Sequence, residues 1–476
     1  MKKDLQVFKD IRFKANSGLH KYRSVKEIDS IYKWAEEEIK NLSTYGEFYN
    51  LICTLTDFEG SVHNETFLIS KISASMKMEE SGYFPYPIKL IEGKVIVNFE
   101  TGKIPLGAEI LAINDRAITT IIPELFKYYT TDGKNISGKS IGINSHFSKY
   151  YRLNYGLEDT FQVTYRQKES NELKHTQLKS VSYASYYRNF AKRYSIAFDK
   201  YTYQDCPENE IYHYKSIDNS TGKLTINSFS MGNEKTVTHK RYVRFLDSVF
   251  MKLKEDRIEN LILDIRNNTG GTDPNDLVTY SYLAARNFVE NKEAWISFNK
   301  IPELRHIKSN IPAFLRPFGV GKYNKMLRRS FPLEKNGKFY QDSSSADHMI
   351  RKPSENAFRG TIYLLISPSV ASAGSLFAAM VAGNKNSIVI GEETAGGYYG
   401  HNGHTPLSYV LPRSKIVTQF SIVNLEQDVP SKKNQIYGRG IIPDYEVMQK
   451  FEDFLSHTDT QMNFTLDLIE TVKPKQ

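Results

Sequence analysis

The segment "YLLISPSVASAGSLFAAMVAGNKNSIVIGEET", Tyr363 to Thr394, decides how this chain folds. Its apolar run at Tyr363–Ser367 reads as a buried strand, and an Ala- and Phe-rich helix begins near Ala373. Between them stands Ser372, flanked only by small residues. A serine placed after a strand and at a helix start meets unpaired backbone N–H groups and the positive end of the helix dipole. An oxyanion forming there would be held by the N–H of Ala373, and acyl transfer generally needs a second donor. The candidate lies in "LDIRNNTGGTDP", Leu263–Pro274, where Gly270-Gly271 follows a buried strand and precedes a helix. Without a side chain, that backbone can approach a ligand closely. Neighbouring parallel strands would bring Gly271 beside Ser372.

Working outward, strand and helix patterns alternate from about residue 210. "KLTINSF" reads as a strand, "YVRFLDSVFMKLKE" as an amphipathic helix and "NLILDIR" as a buried strand. "DPNDLVTYSYLAARNF" reads as a helix capped near Asp273, with Pro274 in its first turn. "TIYLLIS", the Ala373 helix and "SIVIGEE" repeat the alternation, which predicts an α/β core with a largely parallel sheet. Residues 297–358 interrupt it with a basic, proline-punctuated stretch of no sustained periodicity, expected to be a long insertion serving as a lid or substrate-facing arm.

Upstream, residues 1–75 read as a helical cap. "SVKEIDSIYKWAEEEIKNL" spaces Ile28, Ile31, Trp34 and Ile39 along one helix face, and a second apolar helix runs from Phe48 to Leu55, ending near Gly60. Residues 76–185 change to short β-branched runs, "KVIVNFE", "EILAINDRAI" and "DTFQVTYRQ". In "PLGAEILAINDRAI", Gly107 opens a turn, Ile110–Ile113 form a strand and Asn114-Asp115 make a tight turn. That piece resembles the PDZ signature, with Glu109 and Asp115 as departures. The resemblance implies a module that binds peptide C-termini by strand addition.

Bulk properties narrow the function. The chain has 476 residues with 40% hydrophobic and 13% aromatic content, enough for several packed cores. No run of eighteen apolar residues occurs, so no membrane span is expected. The net charge of +9 reads as a lysine-rich solvated surface. No zinc-finger spacing, ribonucleoprotein motif or basic arm supports nucleic acid as a partner. The two cysteines, Cys53 and Cys206, have no metal-ligand neighbours and cannot build a disulfide framework. "HNGH", His401–His404, resembles half a metal site, but no carboxylate or cysteine cluster completes it, and no cofactor or metal is expected. "MKKDLQVFKDIRFKAN" starts basic without an apolar run, so it is not expected to act as a signal peptide.

Four motifs, "LILDIRNNTGG", "SVASAGSLFAAMVAG", "VIGEETAGG" and "GRGIIPDYEV", occur in the order seen in the S41 serine peptidases, which include the C-terminal processing proteases and the tricorn core protease. The resemblance covers roughly residues 20–450. It implies a ClpP/crotonase-like α/β core over residues 186–460, a serine-type endopeptidase acting on peptides or unfolded proteins, and bacterial relatives that are commonly exported. It makes Ser372 the nucleophile and Gly271 and Ala373 the oxyanion-hole donors. Many processing proteases carry a lysine just after the "G-E-x-T-x-G" motif, where this chain has Gly397, so a Ser–Lys dyad is not expected. The tricorn-like branch draws a histidine from the segment before its PDZ-like region, which maps to His63 in "LTDFEGSVHNETF", with Val62 where relatives have serine. A neutral imidazole suits that role because its ordinary pKa lies near working pH. His401 and His404 are rival bases. Relatives place a glutamate just before "G-V-x-P-D", where this chain has Tyr437; Glu426 and Asp428 lie upstream as candidates to orient the base. The alternative is an inactive relative that binds peptides or hydrophobic ligands; acyl-CoA chemistry, suggested by the crotonase-type core, is opposed by the PDZ-like segment and the helix-start serine.

Overall fold

The computed structural model describes residues 1–168, 170, 172–196, 211–309 and 320–472; Cys206 and part of the 297–358 stretch lie outside the described residues. Ser372 is placed by a six-stranded sheet in the order 445–446, 387–391, 361–366, 260–264, 221–226, 212–216. All neighbours run parallel except the antiparallel edge pair Tyr212–Ser216 and Thr221–Ile226. This is the alternation expected from the sequence. Strands Asn260–Asp264 and Thr361–Ile366 are adjacent, so the loops leaving their C-terminal ends meet. Helix Ala373–Ala382 is buried at every residue and packs with Val237–Glu255 over one face. Helix Thr460–Val472 covers the other face through Ile469, against Ile262, Tyr363 and Leu365. The helix expected through Phe288 is shorter, Asn275–Ser281, and the chain then turns back through bonds from Tyr282 and Leu283 to the Thr279 and Tyr280 carbonyls.

A second, antiparallel sheet has no counterpart in the sequence reading. Strands Glu65–Phe67, Val417–Gln427, Asn291–Ile296, Lys338–Tyr340 and Leu333–Lys335 lie side by side, and Asn402–Val410 pairs with Val417–Gln427. The described part of the 297–358 stretch is therefore woven into this sheet by a hairpin, with helix Gly321–Ser330 beside it. It does not stand off as an arm. Its apolar side chains Phe298, Ile301, Leu327 and Phe331 join one core with the N-terminal helices Lys2–Ala15, Val25–Glu38 and Tyr45–Phe58. Two of those helices open with capping boxes, Ser24/Glu27 and Thr44/Glu47, each satisfying otherwise orphaned N–H groups.

Residues 88–179 form a third sheet, wholly antiparallel, in the order 88–91, 94–97, 109–113, 160–166, 174–179. Asn114 and Asp115 adopt positive φ, 48° and 60°, as the expected tight turn requires. Helices Ile118–Leu125 and Lys139–Tyr155 bury Ile121, Ile122, Ile143 and Phe147 against this sheet. Among the described residues no helix is long and apolar enough to cross a membrane.

Candidate active site

Ser372 sits between its strand and helix with φ 53° and ψ −134°. A non-glycine residue held in this region costs on the order of 1–3 kcal/mol, which the surrounding packing must over-determine. The packing is close enough to do so. A Cβ added to Gly270 would lie 2.8 Å from the Ser372 Cβ, and one on Gly374 would lie 2.4 Å from the Asn268 carbonyl oxygen. The small residues around Ser372 are thus the condition for two loops to touch. Asn268, for which the sequence carries no signal, shapes the second loop: its Oδ1 accepts from the Gly270 N–H at 2.9 Å and its Nδ2 donates to the Ile226 carbonyl at 3.2 Å.

The same contact brings two residues with unengaged amides to one cleft. Gly271 forms a parallel bridge to Phe229, in which Phe229 N–H donates to the Gly270 carbonyl and Thr272 N–H to the Phe229 carbonyl. In such a bridge the N–H of Gly271 itself points away from the partner strand. Ala373 is the first helical residue, so its N–H has no acceptor within the helix. Among the described residues neither amide donates a hydrogen bond. Gly271, Ser372 and Ala373 line one cleft of about 310 Å³, together with His63, His401 and His404.

His63 reaches this cleft from the N-terminal region. Helix Tyr45–Phe58 ends before Gly60, a turn over Ser61–Asn64 follows, and strand Glu65–Phe67 then joins the edge of the second sheet. His63 Nε2 lies 3.1 Å from Ser372 Oγ. Just before the turn, Glu59 is fixed by a buried ion pair with Arg12 and by the side-chain amides of Asn16 and Asn64, at 3.0 and 3.1 Å. Burial drives the His63 imidazole down to about 4, with proximity to His404 acting in the same direction. The ring is therefore neutral at physiological pH, as a general base must be before reaction. The Asn402 backbone carbonyl favours its protonated form, although Nδ1 makes no hydrogen bond of proper geometry.

The rival histidines are present but differently placed. The His401 ring is buried with its centroid 5.0 Å from that of His63, and burial holds its pKa well below the usual range. His404 Nε2 lies 3.9 Å from an Asp347 carboxylate oxygen. Among the described residues neither bonds Ser372. The structure does not bring Glu426 or Asp428 to His63. Glu426 lies on strand Val417–Gln427 opposite Glu293, and Asp428 is exposed with its N–H on the Glu290 carbonyl. The physical reason is that this strand runs on past the cleft before the chain leaves the sheet. Among the described residues no three His, Cys, Asp or Glu side chains gather as a metal-binding group. Cys53, buried with its thiol pushed up to about 12, is no nucleophile.

Residues 220–447 match the model of peptidase family S41. No curated protein matches the chain by sequence. Among solved structures, mature CPAF is similar with a TM-score of 0.62 at 13% identity, covering 99% of this chain and 98% of that one. Mature CPAF complexed with lactacystin gives 0.55 at 13% identity over 98% and 97%, and a serine-to-alanine CPAF mutant gives 0.63 at 11% identity over 100% and 98%. At such identities these likenesses speak for the fold alone. The family match supports a serine peptidase-type function for a chain with this α/β core. More particularly, the matching residues 220–447 are similar to peptidase family S41 and hold all four motifs that carry the resemblance.

Proposed function

We propose that this protein is a serine endopeptidase that cuts peptides or unfolded proteins through an acyl-enzyme, with Ser372 as nucleophile and His63 as general base. The observation that carries this reading is the 3.1 Å approach of a neutral imidazole to a serine held at a helix N-terminus beside two unengaged amides. Ser372 Oγ attacks the scissile carbonyl carbon as its proton passes to His63 Nε2. The carbonyl oxygen, now negative, accepts from the N–H groups of Gly271 and Ala373. His63 returns the proton to the leaving amine, the C–N bond breaks, and an ester to Ser372 remains. Water, deprotonated by His63, then releases the acyl group. With neither Glu426 nor Asp428 at the imidazole, the Asn402 carbonyl is the acceptor nearest in role to an orienting partner, favouring a proton on Nδ1 so that Nε2 can accept.

Residues 76–185 serve in this reading as a PDZ-like peptide-binding unit, supported by the six-stranded sheet and its two helices. Its edge strand Ile88–Ile91 has the Leu90 N–H bonded to Asn144 Oδ1 at 2.8 Å, so a peptide adding there must displace that side chain. Export, common among bacterial relatives, completes the proposal. Turnover of a quenched-fluorescent peptide library tests it: wild type cleaves and folded Ser372→Ala does not. Saturable peptide binding without cleavage by wild type would favour the inactive, ligand-binding alternative.

A further inference from the structure

The carboxylate of Asp132 joins the two halves of this site. Asp132 lies in the connection between residues 126–128 and helix Lys139–Tyr155 of the third-sheet unit, and it is fully buried. Its Oδ1 accepts from the Val62 N–H at 2.9 Å, the residue before His63. Its Oδ2 accepts from the Gly397 N–H at 3.0 Å. Gly397 closes a turn whose Gly396 N–H donates to the Val370 carbonyl, two residues before Ser372. That turn packs so tightly that a Cβ on Gly396 would lie 2.2 Å from Ser375 Oγ. One side chain thus spans from the backbone carrying the base to the backbone carrying the nucleophile. Adjacent bonds make the span stiff: Thr130 Oγ1 donates to the Asn64 carbonyl at 2.8 Å, Gly133 N–H to the Gly60 carbonyl at 2.9 Å and Asp132 N–H to the Ala395 carbonyl at 3.1 Å.

We infer that Asp132 is a positioning residue for the catalytic base, setting the His63–Ser372 separation and making it answer to the third-sheet unit that supplies Asp132. The inference rests on the assignment of Ser372 and His63 above. Both N–H groups need an acceptor, and only the ionised carboxylate offers one to each without a proton in the way. Burial pushes the Asp132 carboxyl up to about 7, against the two amides and the Lys21 charge, which hold it down. Lys21, from the turn after the first helix, is itself lowered to about 8 by burial, and the Tyr22 phenol also faces Asp132. His63 is the titratable group on the 60–64 segment; the 395–397 turn contributes amides. The carboxylate span is therefore present above about pH 7 and is lost as pH falls through it, well before His63 takes a proton at about 4.

The test is the rate of labelling by a fluorophosphonate across pH, with full-length wild type, Asp132→Asn and Asp132→Glu. Asp132→Asn presents one donor where an acceptor is needed. It should label on the order of tenfold to a hundredfold more slowly above pH 7, as a small misplacement of a reacting group does. Its acid limb should move from about 7 to the His63 value of about 4, with Asp132→Glu recovering part of the rate. A purely structural role would lower the rate without moving the limb, and that outcome overturns the inference. So does wild-type behaviour in Asp132→Asn. If Asp132→Asn fails to fold, Asp132→Glu decides: labelling at the wild-type rate overturns the inference, and a slowed rate with an acid limb displaced from that of wild type upholds it. Wild type that labels at no pH defeats the peptidase reading, and the inference falls with it.

Discussion

The nucleophile side and the base side of this cleft are built in different ways. Ser372, Ala373 and Gly271 come from the C-terminal ends of two neighbouring parallel strands, and all three are placed within that one sheet, with Phe229 bridging Gly271. His63 stands on a short turn whose support comes from four places distant in sequence: Arg12, Asp132, the 395–397 turn and strand Val417–Gln427. The first half is the geometry of one sheet and the second is an assembly of several units. The oxyanion side should therefore fail abruptly and at single points, and the base side should fail gradually, through several remote residues.

The largest expected effect falls on the reacting pair. Ser372→Ala and His63→Ala should each lower peptide turnover by about 10⁴-fold or more while circular dichroism stays native. Residual turnover of a tenth or more in His63→Ala would shift the base to His401 or His404. Next comes Gly271→Ala. The added Cβ would meet the Phe229 carbonyl carbon at 2.2 Å, so the loop must move and take its N–H with it. Turnover should fall by about 10²–10³-fold, the usual cost of one oxyanion donor, with KM changing far less than kcat.

These first two outcomes probe what the sequence already displays. The strand–serine–helix pattern and the double glycine need only hydrophobic periodicity and turn chemistry to be read, because the strands pair with neighbours in simple parallel register. His63 was legible only through the family resemblance, since nothing within "EGSVHNE" says that its imidazole meets residue 372. Asn268 and Asp132 left no signal at all: one caps its own loop, and the other acts across more than 260 positions of sequence. The second sheet was missed for the same reason. Its strand Asn291–Ile296 pairs with Val417–Gln427, and its hairpin 333–340 has exposed or half-buried residues with little alternation. Glu426 and Asp428 stand near a family motif in sequence, but the long strand Val417–Gln427 carries them past the cleft.

The residues that support the base give the smaller effects. Arg12→Ala leaves Glu59 charged, buried and without its cation, and should destabilise the protein by about 3–5 kcal/mol in denaturant unfolding. Its turnover per folded molecule should drop moderately, because Glu59 and Asn64 steady the turn that bears His63. At the small end, Glu426→Gln and Asp428→Asn should leave kcat/KM within about twofold of wild type. A hundredfold loss in either would place a carboxylate in the reaction and contradict the geometry described.

The central claim is that Ser372 is an activated nucleophile and His63 its base. Intact mass after fluorophosphonate treatment of wild type, Ser372→Ala and His63→Ala tests it most directly. The account predicts one adduct on wild type, none on Ser372→Ala and labelling of His63→Ala slowed by orders of magnitude. An adduct on Ser372→Ala, wild-type labelling of His63→Ala, or an inert wild type would contradict it.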